Sequence, residues 1–361
     1  MRFCAVLRNY PKDVPGGAEY QAYLIARELG KRGHEVHYVA HSSIETSTTQ
    51  DDGITVHRME GVGGRKVIEQ LKQIDPDTCY FRLATDLPLL ARAKRQIDST
   101  FVYNISRDIQ CEPLFAGGPY RDSKPIARRL VNTGRYAVYR ALLRVPDHVF
   151  AQNERQQQLL RDNHGIESVL VGNGHAVPEG EIDKESPPIV LWLSNLKSVK
   201  NPELFLEVAD RCRDLPCQFW MVGRPIDDEL HETVRRRAAE QDNLEYHGGC
   251  GIVESNEYFA KASIYVHTGD TEGFPNTFIQ SWMHRTPVMT LKTDPDAVLQ
   301  RHEIGARCES LDEMVSQVSQ LIAEPGRRKF LGENARQYAS EKHGIDAVVD
   351  RIESELGSEA R

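Results

Sequence analysis

The chain has 361 residues, 40% hydrophobic and 27% charged, an ordinary globular composition with room for two or three domains and too apolar for a disordered chain. A net charge of -8 argues against a general nucleic-acid binder, which presents a basic surface. The charge is divided: residues 1–180 hold 24 Lys and Arg against 21 Asp and Glu, and residues 181–361 hold 21 against 32, so a mildly basic half joins an acidic one, as in a two-domain chain.

Arg2–Leu7 reads as a first strand, its apolar run too short for a secretory signal. A loop at Tyr10–Pro15 precedes a helix from about Gly17 to Arg32, with Ala18, Ala22, Ile25 and Leu29 on one face and Gly33 ending it. Strands follow at Glu35–Ala40, Ile54–Met59, Thr78–Phe81, Thr100–Ile105, His148–Ala151 and Ser168–Val171, most separated by helical stretches. Residues 173–188, rich in Gly, Pro and Glu without an apolar period, read as a linker. The pattern then restarts with strands Ile189–Leu193, Gln218–Val222, Leu244–His247, Ser263–His267 and Pro287–Leu291, with helices at Pro202–Arg211 and Asp227–Glu240. The end, from about Leu311 to Leu356, is helical. Strands alternating with helices predict α/β architecture: two doubly wound, Rossmann-like domains facing a cleft, residues 1–172 and 189–361, with the last helix free to pack back on the first domain. No apolar stretch reaches the roughly 20 residues of a membrane span. Seven scattered cysteines with no paired ligand spacing point to free thiols in a reducing, cytoplasmic compartment.

Two segments carry candidate chemistry. Gly16 and Gly17 follow the first strand and open a helix; there the backbone can approach a ligand and helix N-terminal amides can meet an anion. A plain strand-to-helix turn fits them equally well. The second segment is Thr271-Glu272-Gly273-Phe274-Pro275-Asn276-Thr277-Phe278-Ile279-Gln280. Pro275 suits a helix start, so Gly273–Thr277 would offer amides to a phosphate. Glu272 would accept hydrogen bonds from sugar hydroxyls, with Gln280 two turns on near the same face. An ordinary capped helix is the competing reading.

In order and spacing these segments resemble the family 4 glycosyltransferases of the group-1 type, with the GT-B fold. The resemblance covers nearly the whole chain: Gly16-Gly17-Ala18-Glu19 with Arg32-Gly33-His34-Glu35-Val36, Asn173-Gly174, Leu193-Ser194-Asn195-Leu196 through Lys200-Asn201-Pro202, Val222-Gly223, and Glu272 through Gln280 as an E-x7-E motif. It implies a retaining transferase that takes a nucleotide-diphosphate sugar as co-substrate, needs no cofactor or metal, and uses no protein nucleophile. Lys200 would hold the diphosphate and Glu272 the sugar. Gly16, Gly17, Asn195, Gly223, Arg224, Gly273, Phe274, Pro275, Asn276, Thr277 and Gln280 would complete the donor site. Asn195 stands where the family usually carries Arg, and Arg224 is the substitute considered. Gln280 stands for the second acid, its amide still able to bind ribose hydroxyls. The family's first-domain histidine has no clear match; Arg107 and Asp108 occupy its place and are assigned to the acceptor side.

Other signals are weaker. Asp75-Pro76-Asp77 and Asp294-Pro295-Asp296 match a metal-binding D-x-D pattern, but two acids in a loop read better as turns. Gly61-Val62-Gly63-Gly64 lacks the third glycine of a dinucleotide fingerprint, since Lys66 stands there. The thirteen histidines show no ligand spacing. The stretch 124–144 holds Lys124, Arg128, Arg129, Arg135, Arg140 and Arg144 without an acid; peripheral contact with the inner membrane face, or a solvated helix, are both expected readings. The resemblance admits saccharide, lipid-linked and small-molecule acceptors. The competing functions are a sugar-nucleotide epimerase of the same fold and a catalytically weak binding subunit, the latter because Asn195 and Gln280 replace charged residues.

Overall fold

A computed structural model describes residues 1–61, 63–112, 134, 137–251, 253–270 and 272–357. Lys124, Arg128, Arg129 and Arg135 lie outside the described residues. The chain forms two compact units, one comprising Met1–Gly174 and the segment from Ile345 on, the other His175–Gly344.

The first unit is built on an eight-stranded sheet in the order β3-β4-β2-β1-β5-β6-β7-β8. Its elements are β1 (Arg2–Leu7), α1 (Gly17–Lys31), β2 (Glu35–Ser43), β3 (Ser47–Asp51), β4 (Ile54–Glu60), α2 (Gly64–Ile74), β5 (Thr78–Phe81), α3 (Leu87–Ala93), β6 (Thr100–Asn104), β7 (His148–Ala151), α4 (Glu154–His164) and β8 (Val169–Leu170). The central strands alternate between two buried layers: Phe3, Ala5 and Leu7 on the α1 side, Cys4 and Val6 on the α2 and α3 side.

Sequence reading misses one strand here. β3 pairs antiparallel with β4 through Asp52-Gly53, both at positive φ (49° and 79°). Asp-Gly in a two-residue loop is a strong hairpin signal, hidden here by the polar sequence of β3, an edge strand with little to bury.

The single apolar face assigned to α1 is also too narrow, since Gln21, Tyr23, Leu24, Ala26 and Glu28 are buried too. The last helix of the chain, Ile345–Gly357, packs on α1 through Ile345, Val348, Val349 and Ile352. Arg32 fastens it with ion pairs to Asp350 and Glu353, both 2.6 Å.

Arg140 and Arg144 do not project as free basic groups. Arg140 donates to the Asn163 carbonyl (2.7 Å) and Arg144 to that of His164, so both cap the C-terminus of α4, where the helix dipole favours cations.

The second unit has an all-parallel sheet in the order β11-β10-β9-β12-β13-β14. It runs β9 (Ile189–Leu193), α5 (Pro202–Arg211), β10 (Gln218–Val222), α6 (Asp228–Ala239), β11 (Leu244–Tyr246), α7 (Ser255–Lys261), β12 (Ile264–His267), α8 (Asn276–Met283), β13 (Val288–Thr290), α9 (Val298–Arg301), β14 (Gly305–Arg307), α10 (Leu311–Ala323) and α11 (Pro325–His343). The helical end of the chain is therefore three helices, divided before Pro325 and at Gly344; the last is α12 (Ile345–Gly357).

Residues 173–188 are not a loose linker. Lys184 is partly buried, and its Nζ donates to the carbonyls of Phe259 (3.1 Å) and His284 (2.5 Å) and to the Thr286 hydroxyl (2.7 Å), which pins the segment to the second unit. Both D-x-D segments are turns. Asp75 ends α2 at φ 50°, Asp77 accepts from the Arg2 amide (2.6 Å), and Asp294 accepts from the Leu299 amide (3.1 Å).

Candidate active site

In the second unit the chain runs outward from β9 to β10 and β11, then returns to place β12 on the other side of β9. Ligands of open parallel sheets bind at the C-terminal strand ends where the order reverses. The loops after β9 and β12 meet at that point and carry Lys200 and Glu272.

The loop after β9 ends in a single tight turn, Ser198–Lys200. Asn201, at φ 46°, reverses the chain into α5, which Pro202 opens. The Asn201 amide then stitches this loop to the next, donating to the Thr268 carbonyl (3.0 Å) and to Asp270 Oδ1 (2.9 Å). Thr268 donates to the Lys200 carbonyl (2.7 Å) and accepts from the Trp192 indole (2.9 Å). Lys292 adds an ion pair to Asp270 at 2.5 Å. These contacts fix the backbone on which both charged side chains stand.

Lys200 and Glu272 are paired with each other, their side chains 21% and 23% exposed. Burial, aided by Lys197, pulls the Lys200 ammonium down to about 8, which leaves it mostly charged at neutral pH beside the Glu272 carboxylate. The pair is thus a cation and an acid already brought together, each holding the other.

Glu272 leads into α8. Gly273 and Pro275 are buried, and Phe274 packs on the rings of His343 (4.6 Å) and Trp282 (6.0 Å), which anchors the loop. Pro275 occupies the N-cap position, one residue earlier than a helix-opening proline, and has no side chain to cap with. α8 thus begins at Asn276, four residues after Glu272, with the positive end of its helix dipole on that side.

Gln280 does not face that end. It is buried, and its amide donates to Ser255 Oγ (2.8 Å) and Asn256 Oδ1 (3.0 Å), which spends both amide protons on holding α7. Donation to a ribose would require breaking one of these bonds.

The flanking residues lie on neighbouring loops. Gly223, at the end of β10, is buried and donates to the Gly248 carbonyl (2.7 Å). A Cβ there would run into the Ser194 carbonyl and come within 3.2 Å of Trp192, so only glycine fits. Asn195 and Arg224 are exposed on adjacent loops, joined by Leu196 N–H donating to the Arg224 carbonyl (2.9 Å).

In the first unit, Gly16 is the N-cap of α1 and Gly17 its first residue. The Glu19 carboxylate folds over Gly16 and accepts from its own backbone N–H. Burial raises this carboxyl, and Arg8 and Arg82 oppose the rise. The anion position at α1 thus holds an internal carboxylate, which a phosphate would have to displace. Arg107 is exposed beyond β6, whereas Asp108 accepts from Gln156 (2.8 Å) and ties that turn to α4.

His267, which sequence reading leaves as a strand end, belongs to the site. It closes β12, is only 3% exposed, and places Nε2 3.9 Å from Glu272 Oε1. Burial, with Lys200 adding to it, pulls this imidazole down to about 3, so it is neutral. The only sequence signal is a histidine at the strand end, five residues before the acid. Among the described residues, no three or more His, Cys, Asp or Glu side chains are grouped so as to hold a metal.

The N-terminal half, residues 16–174, matches the glycosyl transferase 4-like domain, and residues 187–324 match the glycosyl transferases of group 1. The chain belongs to the group-1 glycosyltransferases with a family-4-like N-terminal domain. Solved structures share its fold over nearly its full length. Sucrose-phosphate synthase from Thermosynechococcus elongatus aligns at TM-score 0.75 and 15% identity, covering 99% of this chain and 98% of its own. Anabaena HepE in complex with UDP-glucose aligns at 0.76 and 16%, covering 99% and 100%. The α,α-trehalose 6-phosphate synthase of Burkholderia multivorans aligns at 0.70 and 11%, covering 100% and 98%. The fold is GT-B, and the protein is a glycosyltransferase of that type. A comparison with curated proteins finds no match.

Proposed function

We propose that the protein transfers a hexosyl group from a nucleotide-diphosphate sugar, with retention of configuration and without a metal, the second unit binding the donor and the first the acceptor. The observation that carries this reading is the Lys200–Glu272 pair at the reversal point of a parallel sheet, beside the N-terminus of α8. Breaking the sugar–phosphate bond leaves negative charge on the diphosphate and develops positive charge on the sugar. Lys200 and the α8 amides suit the first, and Glu272 suits the hydroxyls and charge of the second. Arg224, on the loop beside Asn195, is the second cation this reading offers the phosphates.

The HepE complexes with UDP and UDP-glucose favour uridine as the donor base. The seven free thiols fit a cytoplasmic enzyme. Among the described residues no helix is long and apolar enough to cross a membrane. A lipid-linked acceptor, with contact to the membrane face through Lys124, Arg128, Arg129 and Arg135, stands beside saccharide and small-molecule acceptors in this proposal.

The test is to incubate the protein with a panel of UDP-, GDP- and ADP-sugars and measure nucleoside-diphosphate release, with and without acceptor mixtures and EDTA. Acceptor-dependent release that EDTA leaves unchanged is the expected result. Epimerised donor without release would make it an epimerase, binding without release a binding subunit, and a strict magnesium or manganese requirement would remove the metal-independent step.

A further inference from the structure

We propose that His267 is a positioning residue that takes over Glu272 when a nucleoside diphosphate draws Lys200 away. The inference rests on the donor-site reading above and adds a residue that no motif assigns.

The geometry gives Glu272 two polar neighbours. Lys200 holds its Oε1 now; His267 Nε2 stands 3.9 Å from the same oxygen, beyond hydrogen-bond range but within a small swing of the carboxylate. The imidazole itself cannot swing. It is 3% exposed, stands edge-on to Phe278 with ring centres 5.1 Å apart, and has Nδ1 3.4 Å from the Thr290 hydroxyl of the paired strand. A carboxylate facing Nε2 selects the tautomer with its proton there, which leaves Nδ1 to accept from Thr290. The site therefore keeps a fixed neutral N–H aimed at Glu272.

Gly269 keeps the path open. A Cβ at this position would lie 3.0 Å from His267 Nε2 and Cε1 and 3.4 Å from Lys200 Cδ, squarely between the two partners of Glu272. A lysine that turns to a diphosphate leaves behind a partly buried carboxylate next to a new negative charge. An unpaired acid there is costly, and a neutral donor satisfies it without competing for the phosphate. Glu272 is then held toward the sugar in one orientation.

The experiment compares the parent protein with His267→Phe, which keeps the packing and loses the N–H, and His267→Gln, which keeps a donor near Nε2 and loses the ring. UDP affinity is measured by calorimetry, turnover with the nucleotide sugar the parent uses, and the His267 side-chain NMR signals during UDP titration. The expected result is UDP affinity within about twofold in all three proteins, turnover down by roughly an order of magnitude or more in His267→Phe, and most of it retained in His267→Gln. UDP should also shift the Nε2–H proton downfield in the parent, and not in Glu272→Gln.

A tolerated Phe with a damaging Gln would make His267 a packing residue and overturn the proposal, as would an Nε2–H signal indifferent to UDP. A parent that neither binds UDP nor turns over any nucleotide sugar would overturn the donor-site reading and the inference with it. A parent that turns over donor while both variants match it would overturn the inference alone.

Discussion

Because Lys200 and Glu272 neutralise each other, Glu272→Gln should tighten the binding of UDP while it damages turnover. In the free protein a diphosphate must compete with Glu272 for the ammonium. Both side chains are about one-fifth exposed, so the pair lies between a surface ion pair, worth about 0.2–1 kcal/mol, and a hydrogen bond to a charged group, about 1.5–3 kcal/mol. Taking about 1 kcal/mol for the competition, its removal lowers the dissociation constant of UDP about fivefold. Loss of the carboxylate's repulsion toward the diphosphate acts in the same direction. The opposite substitution, Lys200→Ala, should weaken UDP by about 1.5–3 kcal/mol, roughly tenfold or more, and leave uridine unaffected. In the double variant the gain from Glu272→Gln should largely vanish, since the two residues act on one interaction. Calorimetric titration of UDP and uridine into the four proteins measures every term, and turnover at saturating nucleotide sugar should fall by an order of magnitude or more in Glu272→Gln. Weaker UDP binding in Glu272→Gln, or parent-like turnover, would refute the division of roles between the two residues.

Three further outcomes are expected. His175 and His267 are buried and neutral, each pulled down to about 3 by burial first, with His343 and His284 adding to it for His175 and Lys200 for His267; the unfolded chain takes up these protons below about 6.5, so stability is full above that pH and falls between about 6.5 and 3, by about 1.4 kcal/mol per histidine at pH 5.5. Thermal melts from pH 8 to 5 measure it, and a Tm flat below 6.5 would contradict it. Lys184→Met removes three partly buried hydrogen bonds, leaving the two carbonyls to the Thr286 hydroxyl, costing about 1–3 kcal/mol and lowering Tm by roughly 2–10 °C without changing UDP affinity; an unchanged Tm would show that residues 173–188 are not pinned by it. If the basic stretch touches membranes, anionic vesicles should co-sediment the protein at low salt, with Arg128→Gln, Arg129→Gln and Arg135→Gln together abolishing it, whereas Arg140→Gln and Arg144→Gln should act on Tm through the end of α4; no binding at low salt removes the membrane contact.

What the sequence discloses depends on how local the cause is. The inner strands of both sheets are apolar runs whose burial is decided by their own residues, and the segment Glu272–Thr277 announces itself because a strand, a loop acid and a proline-led helix follow one another along the chain. β3 escapes because an edge strand needs no apolar face, although Asp52-Gly53 marks its turn. The two-sided burial of α1 cannot be read from α1, since the second side is covered by Ile345–Gly357 at the far end of the chain. Gln280 shows the same limit at the site. Its spacing from Glu272 puts it two turns down α8, but what it touches is settled by where α7 brings Ser255 and Asn256. A helix face predicts neighbours along the helix, not the element laid across it. His267 is the converse case: its position in the sequence is unremarkable, and it becomes part of the site because the loop from Thr268 to Glu272, stitched by Asn201 and Thr268, folds back until the acid stands over the end of its own strand. The cation and the acid could be named from motifs; that they bind each other, with a neutral donor waiting beside them, follows only from that fold-back.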